Sequence, residues 1–253
     1  MPFTIVHPIA VLPLKRLRLP FSALVIGSIT PDLEYIIHRA PISYVSHTLF
    51  GLVSFCLPAG LLLLWIYHRL WKPPLLSYVS ISQDTDKNQF HFLPSSRFFM
   101  LCLAILIGAL THLFWDSFTH QYGWMVRHLP ILTTVVFHTN WGTISLYKTL
   151  QQISTIFGLI ILAILGISHR QYFKVIKPIL WKITVLISFT SAAITLTYCC
   201  IQLALPSNIK SLIQFMVVYI VIFFGVAIAE VTILSLVWHG YYKGYKPVFL
   251  YRK

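Results

Sequence analysis

The stretch FFMLCLAILIGALTHLFWDSFTH, residues 98–120, joins a long apolar run to a polar end. A transmembrane α-helix needs about 20 predominantly apolar residues, and the run 98–119 meets that length. His112, Asp116 and His120 follow at steps of four, so on a helix they occupy one stripe about 80° wide. The stretch therefore predicts a membrane-spanning helix whose end carries a polar face.

The composition of the whole chain extends this prediction. Of the 253 residues 57% are hydrophobic and 10% are charged, and the mean hydropathy is +0.78. An ordinary soluble domain has roughly 25% charged residues, so we expect an all-α, polytopic helical membrane protein. Five runs are long enough, or nearly long enough, to span a bilayer: 48–67, 98–119, 153–167, 183–205 and 212–238.

The N-terminal segment does not fit a sixth straight span. The run 20–29 is too short to cross alone, and Pro8 and Pro13 interrupt a longer helix. The basic residues Lys15, Arg16 and Arg18 also argue against a straight membrane-spanning helix there. We expect an interfacial or re-entrant segment, within a single helical membrane domain over 1–253 in which 1–150 carries the polar residues and 151–253 supplies supporting helices.

Basic residues predict the orientation. The formal charge is +13, but Lys and Arg are scattered over loops beside the spans, which excludes a nucleic-acid-binding face. Twelve lie in the loops 68–97 and 168–182 and after 238, against three in the opposite loops. By the positive-inside tendency the first side is cytoplasmic, although four more cations in the N-terminal segment change the contrast to twelve against seven.

Ligand-type side chains gather in the first part of the chain, which holds nine of eleven histidines together with Asp32, Glu34 and Asp116. His47 opens the first span and His112 lies near the end of the second, which is antiparallel, so both belong at one membrane face. Asp32 lies fifteen residues before His47 on a Thr-Pro turn. Ionisable groups near a membrane core are costly, so we expect them to meet in the protein interior.

Imidazole and carboxylate groups at this density suit Zn²⁺ or a similar divalent metal, which would also neutralise the acids. Two alternatives stay open. One is a hydrogen-bonded structural cluster without metal, and the other is a non-enzymatic carrier or assembly factor that binds an ion or relays protons.

Five motifs carry a family resemblance: TIVHP (4–8), GSITPDLEY (27–35), SHTLFGL (46–52), HLFWDSFTH followed by GW (112–124), and YKTLQQIST (147–155). Together they resemble the uncharacterised bacterial membrane-protein family catalogued as domain of unknown function 4184, over most of the chain. This resemblance implies a multi-pass protein of the bacterial cytoplasmic membrane.

The order of histidines and acids is more distantly similar to the membrane-bound metal-dependent hydrolases and to the helical zinc phospholipase C fold. That resemblance implies six metal ligands: His7, Asp32, His47, His112, Asp116 and, by a looser match, His120. The function we expect is hydrolysis of an ester or phosphodiester, with a lipid-linked substrate favoured by a site at the bilayer surface. Asp32, Glu34 or Asp116 would take the proton from water.

Overall fold

The computed structural model describes residues 4–78, 95–139, 142–168, 178–202 and 209–242. Four helices in these ranges are long and apolar enough to cross a membrane: Leu49–Leu75, Arg97–His128, Leu146–Ser168 and Gln214–Gly240. They agree with four of the five predicted spans, and they confirm a helical architecture with several helices of membrane-spanning length. The span predicted at 183–205 stays a prediction, because the described apolar part of the helix there, Leu186–Tyr198, is shorter than a span requires.

The N-terminal segment folds as a helical hairpin. A 3-10 helix, Thr4–Leu17, is followed by α1, Phe21–Ile29, then by a 3-10 turn, Thr30–Asp32, and by α2, Leu33–His38. The two prolines inside the first helix lack a backbone N–H, which disfavours a regular α-helix over these residues. Arg18 has φ 56° and reverses the chain between the two legs.

The first long helix, α3, begins directly after His47. Its segments are Leu49–Gly51, the π-helical Leu52–Cys56, Leu57–Ile66, the π-helical Tyr67–Trp71 and Lys72–Tyr78. Thr48 caps the helix, because its hydroxyl oxygen accepts the Gly51 N–H at 2.9 Å. This cap fixes the start of α3 two residues after His47. The predicted polar loop 77–96 lies mostly outside the described residues.

The second long helix, α4, covers Ser95–Thr119 and is followed by α5, Trp124–His128, and a 3-10 turn, Pro130–Thr133. A small antiparallel hairpin of β1, Val135–Thr139, and β2, Gly142–Ser145, then leads into α6, Leu146–Ser168. Apart from this hairpin, the regular structure of the described residues is helical, in agreement with the all-α prediction. β-Branched and aromatic residues in β1 favour the extended conformation.

Two glycines allow α1 to lie directly against α4. A Cβ added to Gly108 would be 2.2 Å from the Leu24 carbonyl oxygen, and one added to Gly27 would be 2.2 Å from that of Ile105. Small residues permit such close approach between helices in membranes. α1 is therefore held against the half of α4 that leads to the predicted ligands.

The chain divides into two compact units. The first contains Met1–Glu34, Ser43–Leu64 and His91–Arg170, and the second contains Tyr35–Ile42, Trp65–Phe90 and Gln171–Lys253. The second includes α7, Pro178–Gln202, and α8, Ile209–Tyr242. All six predicted metal ligands belong to the first unit. The single-domain interpretation of the sequence stays a prediction.

Candidate metal centre

Five of the six predicted ligands meet at one place in the first unit. His7 comes from the N-terminal 3-10 helix, Asp32 from the turn after α1, His47 from the residue pair before α3, and His112 and Asp116 from α4. All are buried except His47, whose side chain is 20% exposed. The close packing of α1 on α4 and the cap of α3 thus help to bring ligands from four parts of the sequence together.

Four ligand atoms form the centre of this group: Nε2 of His47 and His112, Oδ1 of Asp32 and Oδ2 of Asp116. His47 Nε2 lies 3.6 Å from each of the two oxygens, and His112 Nε2 lies 3.5 Å and 3.3 Å from those of Asp32 and Asp116. These distances exceed the 2.7–3.2 Å of ordinary N–H···O hydrogen bonds. An ion bonded tetrahedrally at about 2.0–2.1 Å separates neighbouring ligand atoms by about 3.3 Å, so the spacing fits a shared cation better than direct hydrogen bonding.

His7 lies beside these four atoms. Its ring stacks on that of His112 with centroids 3.7 Å apart, and its Nε2 is 3.7 Å from Oδ1 of Asp116. Ligand atoms of His7, Asp32 and His112 all lie within 4.8 Å of one another, as do those of His47, His112 and Asp116. Burial lowers the pKa of His7 to about 3, with the neighbouring His112 acting in the same direction, so its imidazole is in the neutral form that metals bind.

Unsatisfied polar atoms are concentrated at this centre. Among the described residues, seven buried side-chain nitrogen or oxygen atoms lack a hydrogen-bond partner, and six of them belong to predicted ligands: His7 Nε2, Asp32 Oδ1, His112 Nε2, both carboxylate oxygens of Asp116, and His120 Nε2. A buried unsatisfied polar atom costs about 1–3 kcal/mol, and more where it is charged. A bound cation removes that cost for every ligand atom that it contacts.

Neighbouring groups orient the ligands so that these atoms face inward. The Ser28 carbonyl is 2.8 Å from Nδ1 of His112, and because a carbonyl only accepts, Nδ1 donates and Nε2 of the neutral ring carries the free lone pair. The Thr4 hydroxyl donates to Oδ2 of Asp32 at 2.5 Å, which leaves Oδ1 for the centre. Such outer partners are typical of metal sites. Neither contact could be predicted from the sequence, since a backbone carbonyl has no sequence signal and Thr4 lies 28 residues from Asp32.

The Asp32 carboxylate is held in its ionised form. Burial raises its pKa, but without a metal the positive charge and hydrogen bonding of a protonated His112 imidazole lower it by more, so the pKa lies below its usual range. Two buried carboxylates at one centre therefore call for positive charge, which a divalent ion supplies.

His120 lies at the rim. Its Nδ1 is 3.4 Å from Oδ1 of Asp116 and 3.2 Å from the Asp116 backbone oxygen, and its side chain is 27% exposed. Among the described residues it belongs to neither group of candidate ligands. The structure places it beside Asp116, between the centre and the surface.

Glu34 holds the loop that carries His47. Its buried carboxylate accepts the backbone N–H groups of Tyr44 at 2.9 Å, of Val45 at 3.3 Å and of Ser46 at 2.7 Å. Burial raises the pKa of Glu34, but these bonds and one with the Ser46 hydroxyl lower it to about 2 overall. Among the described residues Glu34 is in neither candidate ligand group, and its contacts point to positioning.

Comparison with known proteins gives one match. No curated protein and no solved structure matches the chain. Domain of unknown function (DUF4184) matches residues 1–237, which include every ligand described above. This match agrees with the family resemblance of the five motifs, while the similarity to hydrolases stays a prediction. Because it covers nearly all of the 253 residues, the chain belongs to the family Domain of unknown function (DUF4184).

Proposed function

We propose that the protein is a multi-pass protein of the bacterial cytoplasmic membrane and a metal-dependent hydrolase of ester or phosphodiester bonds in lipid-linked substrates. The observation that carries the proposal is the convergence of buried ligand atoms without hydrogen-bond partners, on His7, Asp32, His112 and Asp116, at N···O distances of 3.3–3.7 Å that are longer than ordinary hydrogen bonds.

The ligand set favours zinc or a chemically similar divalent ion. Imidazole nitrogens and carboxylate oxygens together are typical of zinc sites, and two carboxylates balance a dication. Hydrogen bonds alone, without a metal, would satisfy fewer of these buried atoms. A proton on Nε2 of His112 could reach one or two carboxylate oxygens, yet Nε2 of His7, 3.7 Å from Oδ1 of Asp116, would stay too far away to hydrogen-bond.

A divalent ion held there would supply Lewis-acid activation of water and of a phosphoryl or carbonyl oxygen. The protein's own carboxylates differ in how freely they can take a proton. Oδ2 of Asp32 is engaged by Thr4, whereas Oδ1 of Asp116 has no hydrogen-bond partner and lies 3.4 Å from Nδ1 of His120, whose side chain is 27% exposed. Asp116 is therefore the better candidate for the general base, and substrate would enter between His47 and His120.

The surroundings of the rim favour a lipid-linked substrate. Large apolar side chains next to His47 and His120 in the sequence are exposed on the first unit: Leu49, Phe50, Phe114, Tyr122 and Trp124. Aromatic residues concentrate where a protein meets the membrane–water interface. A centre at that level can act on a headgroup whose acyl chains stay in the bilayer.

Metal analysis of the detergent-purified protein tests the proposal. We expect a near-stoichiometric divalent metal in the wild type and its loss in His112→Gln and Asp116→Asn. His128→Gln is the matched control, because His128 is exposed and stacks on Trp124 away from the ligand atoms. A hydrolysis screen with phosphodiester and phospholipid substrates should give metal-dependent turnover.

The outcomes separate the alternatives. A wild type that binds no ion in the presence of excess divalent metal would overturn the proposal and favour the hydrogen-bonded structural cluster. A protein that binds the ion tightly but turns over none of the substrates would instead favour the non-enzymatic carrier or assembly factor.

A further inference from the structure

The turn of the N-terminal hairpin carries three exposed cations, Lys15, Arg16 and Arg18. The segment 4–31 contains no Asp or Glu, so the sequence offers these cations no local acidic partner. Arg18 adopts the left-handed conformation that reverses the chain, which places the basic group at the tip. The metal centre does not use this tip.

The two legs of the hairpin both lead back to the centre and have matching lengths. From His7 to Leu17 the 3-10 helix rises about 20 Å at 2.0 Å per residue. From Phe21 to Asp32, α1 and the following 3-10 turn also rise about 20 Å. His7 and Asp32 contribute to one candidate ligand group, so the tip lies about this distance from the centre.

The hairpin runs along α4, away from the centre. Leu24 lies against Gly108 and Gly27 lies against Ile105, which puts Gly27 level with Gly108. The Ser28 carbonyl accepts from Nδ1 of His112 further toward the centre, so α1 and α4 run parallel. That register places Pro20 level with Leu101, about 6 Å from Arg97 at the other end of the span. From Arg97 to Asp116 α4 rises about 28 Å, close to the roughly 30 Å of a bilayer's hydrocarbon core.

We infer that the hairpin is re-entrant and that its basic tip binds the phosphates of anionic phospholipids in the leaflet opposite the metal centre. Long Lys and Arg side chains can keep their stems in apolar surroundings while the charged end reaches the headgroups. Arg97 lies at the same end of the first unit and adds to the positive charge there. The inference rests on the proposed membrane insertion, and it is independent of metal binding and hydrolysis.

Placing the tip on the basic side also sharpens the difference in the number of Lys and Arg residues between the two membrane faces. With the three tip cations on the basic side, the predicted contrast of twelve against seven becomes fifteen against four. By the positive-inside tendency the tip then faces the cytoplasm. The metal centre accordingly opens on the extracytoplasmic side.

Cysteine labelling tests the two faces. In a full-length chain whose four native cysteines are replaced by serine or alanine, Leu17→Cys and Tyr122→Cys each add one thiol. These side chains are 54% and 79% exposed, at the tip and beside the centre respectively. A membrane-impermeant maleimide applied to intact spheroplasts should label Tyr122→Cys, whereas Leu17→Cys should react only after permeabilisation.

Labelling of both thiols from one side would overturn the re-entrant hairpin, and the reverse pattern would overturn the orientation. Extraction with alkaline carbonate shows separately whether the chain is an integral membrane protein. A chain released by carbonate would contradict the membrane insertion on which the proposed function also depends.

Lipid binding tests the tip itself. The full-length triple variant Lys15→Gln, Arg16→Gln, Arg18→Gln should bind phosphatidylglycerol less well by native mass spectrometry, by about fivefold for each cation removed. Binding of phosphatidylcholine should be unchanged. The matched control removes the exposed cations Arg127 and Lys148, which flank the loop at the other end of the first unit. Equal phosphatidylglycerol binding by the triple variant and this control would contradict the inference.

Discussion

Thr4 determines which oxygen of Asp32 faces the candidate metal, because its hydroxyl donates to Oδ2 at 2.5 Å. Thr4→Val keeps the shape of the side chain but removes this bond, so the carboxylate can rotate. We expect metal affinity to fall about 10- to 100-fold, as for other outer-shell substitutions, in a competition titration with a chromogenic chelator. Thr4→Ser retains the hydroxyl and should stay close to the wild type; equal losses in both variants would contradict the role of the bond.

Glu34 gives the second prediction, because its carboxylate holds the loop 44–46 through three backbone N–H groups. Glu34→Gln removes the charge and one acceptor oxygen, so His47 should be less firmly placed. We expect a lower melting temperature, from a loss of about 1–3 kcal/mol, together with weaker metal binding. Both can be measured on the detergent-purified protein.

This variant also separates positioning from the general-base role that the sequence allowed for Glu34. Loss of turnover with full metal content and an unchanged melting temperature would support the general base and contradict positioning. Ser54→Ala provides a control, because that hydroxyl bonds within its own helix, to the Phe50 carbonyl at 3.0 Å. It should change neither measurement.

At the residue scale, the chemical types of the candidate ligands could be predicted from the sequence, but the contacts that orient them could not. Imidazoles and carboxylates near the ends of apolar runs pointed to His7, Asp32, His47, His112 and Asp116, and the structure brings these five together. The orientation of His112 depends on a backbone carbonyl, which any residue type supplies. The contacts of Glu34 depend on a loop that folds back ten residues later, which spacing alone does not show.

At the scale of elements, the close contact between α1 and α4 decides whether the centre can form. A methyl group on Gly108 would be 2.2 Å from the Leu24 carbonyl oxygen and 2.8 Å from the Ser28 nitrogen. Gly108→Ala must therefore move α1 outward and lengthen the bond from His112 to the Ser28 carbonyl. We expect a fall in the melting temperature and loss of bound metal, measured on the same preparation.

Gly166→Ala on α6 is the matched control. A Cβ there meets nothing within 4 Å, so the change should leave metal content unaltered and stability equal or slightly higher. Retention of metal and of the melting temperature in Gly108→Ala would contradict the argument from close packing.

The lengths of the apolar runs predicted the long helices well, because few structures other than a membrane span require about 20 consecutive apolar residues. The form of the N-terminal segment was harder, since its prolines excluded a straight helix without selecting a 3-10 leg and a turn. The small hairpin of β1 and β2 was missed. It lies in a loop where only local β-propensity, a weak guide, argued for strands.

At the scale of the whole molecule, the candidate chemistry lies in one compact unit and the last two helices in the other. The sequence predicted a similar division at residue 150, but packing also assigns Tyr35–Ile42 and Trp65–Phe90 to the second unit. Contacts between segments far apart in the chain determine such boundaries, so composition along the chain could only approximate them. Glu230, an acid within a predicted span, receives a local explanation in the second unit.

Ser191 on α7 donates its hydroxyl hydrogen to Oε2 of Glu230 on α8 at 2.6 Å. Ser191→Ala removes the donor and leaves the acid in apolar surroundings, so we expect a loss of about 1 kcal/mol, seen as a lower melting temperature in detergent. Thr197→Ala is the control, because that exposed hydroxyl bonds to the Ala193 carbonyl of its own helix.

Metal content should stay at the wild-type level in Ser191→Ala and in Glu230→Gln, since every candidate ligand belongs to the first unit. Metal loss in Glu230→Gln without a change in the melting temperature would instead make this acid part of the ion-binding function and favour a carrier over a hydrolase.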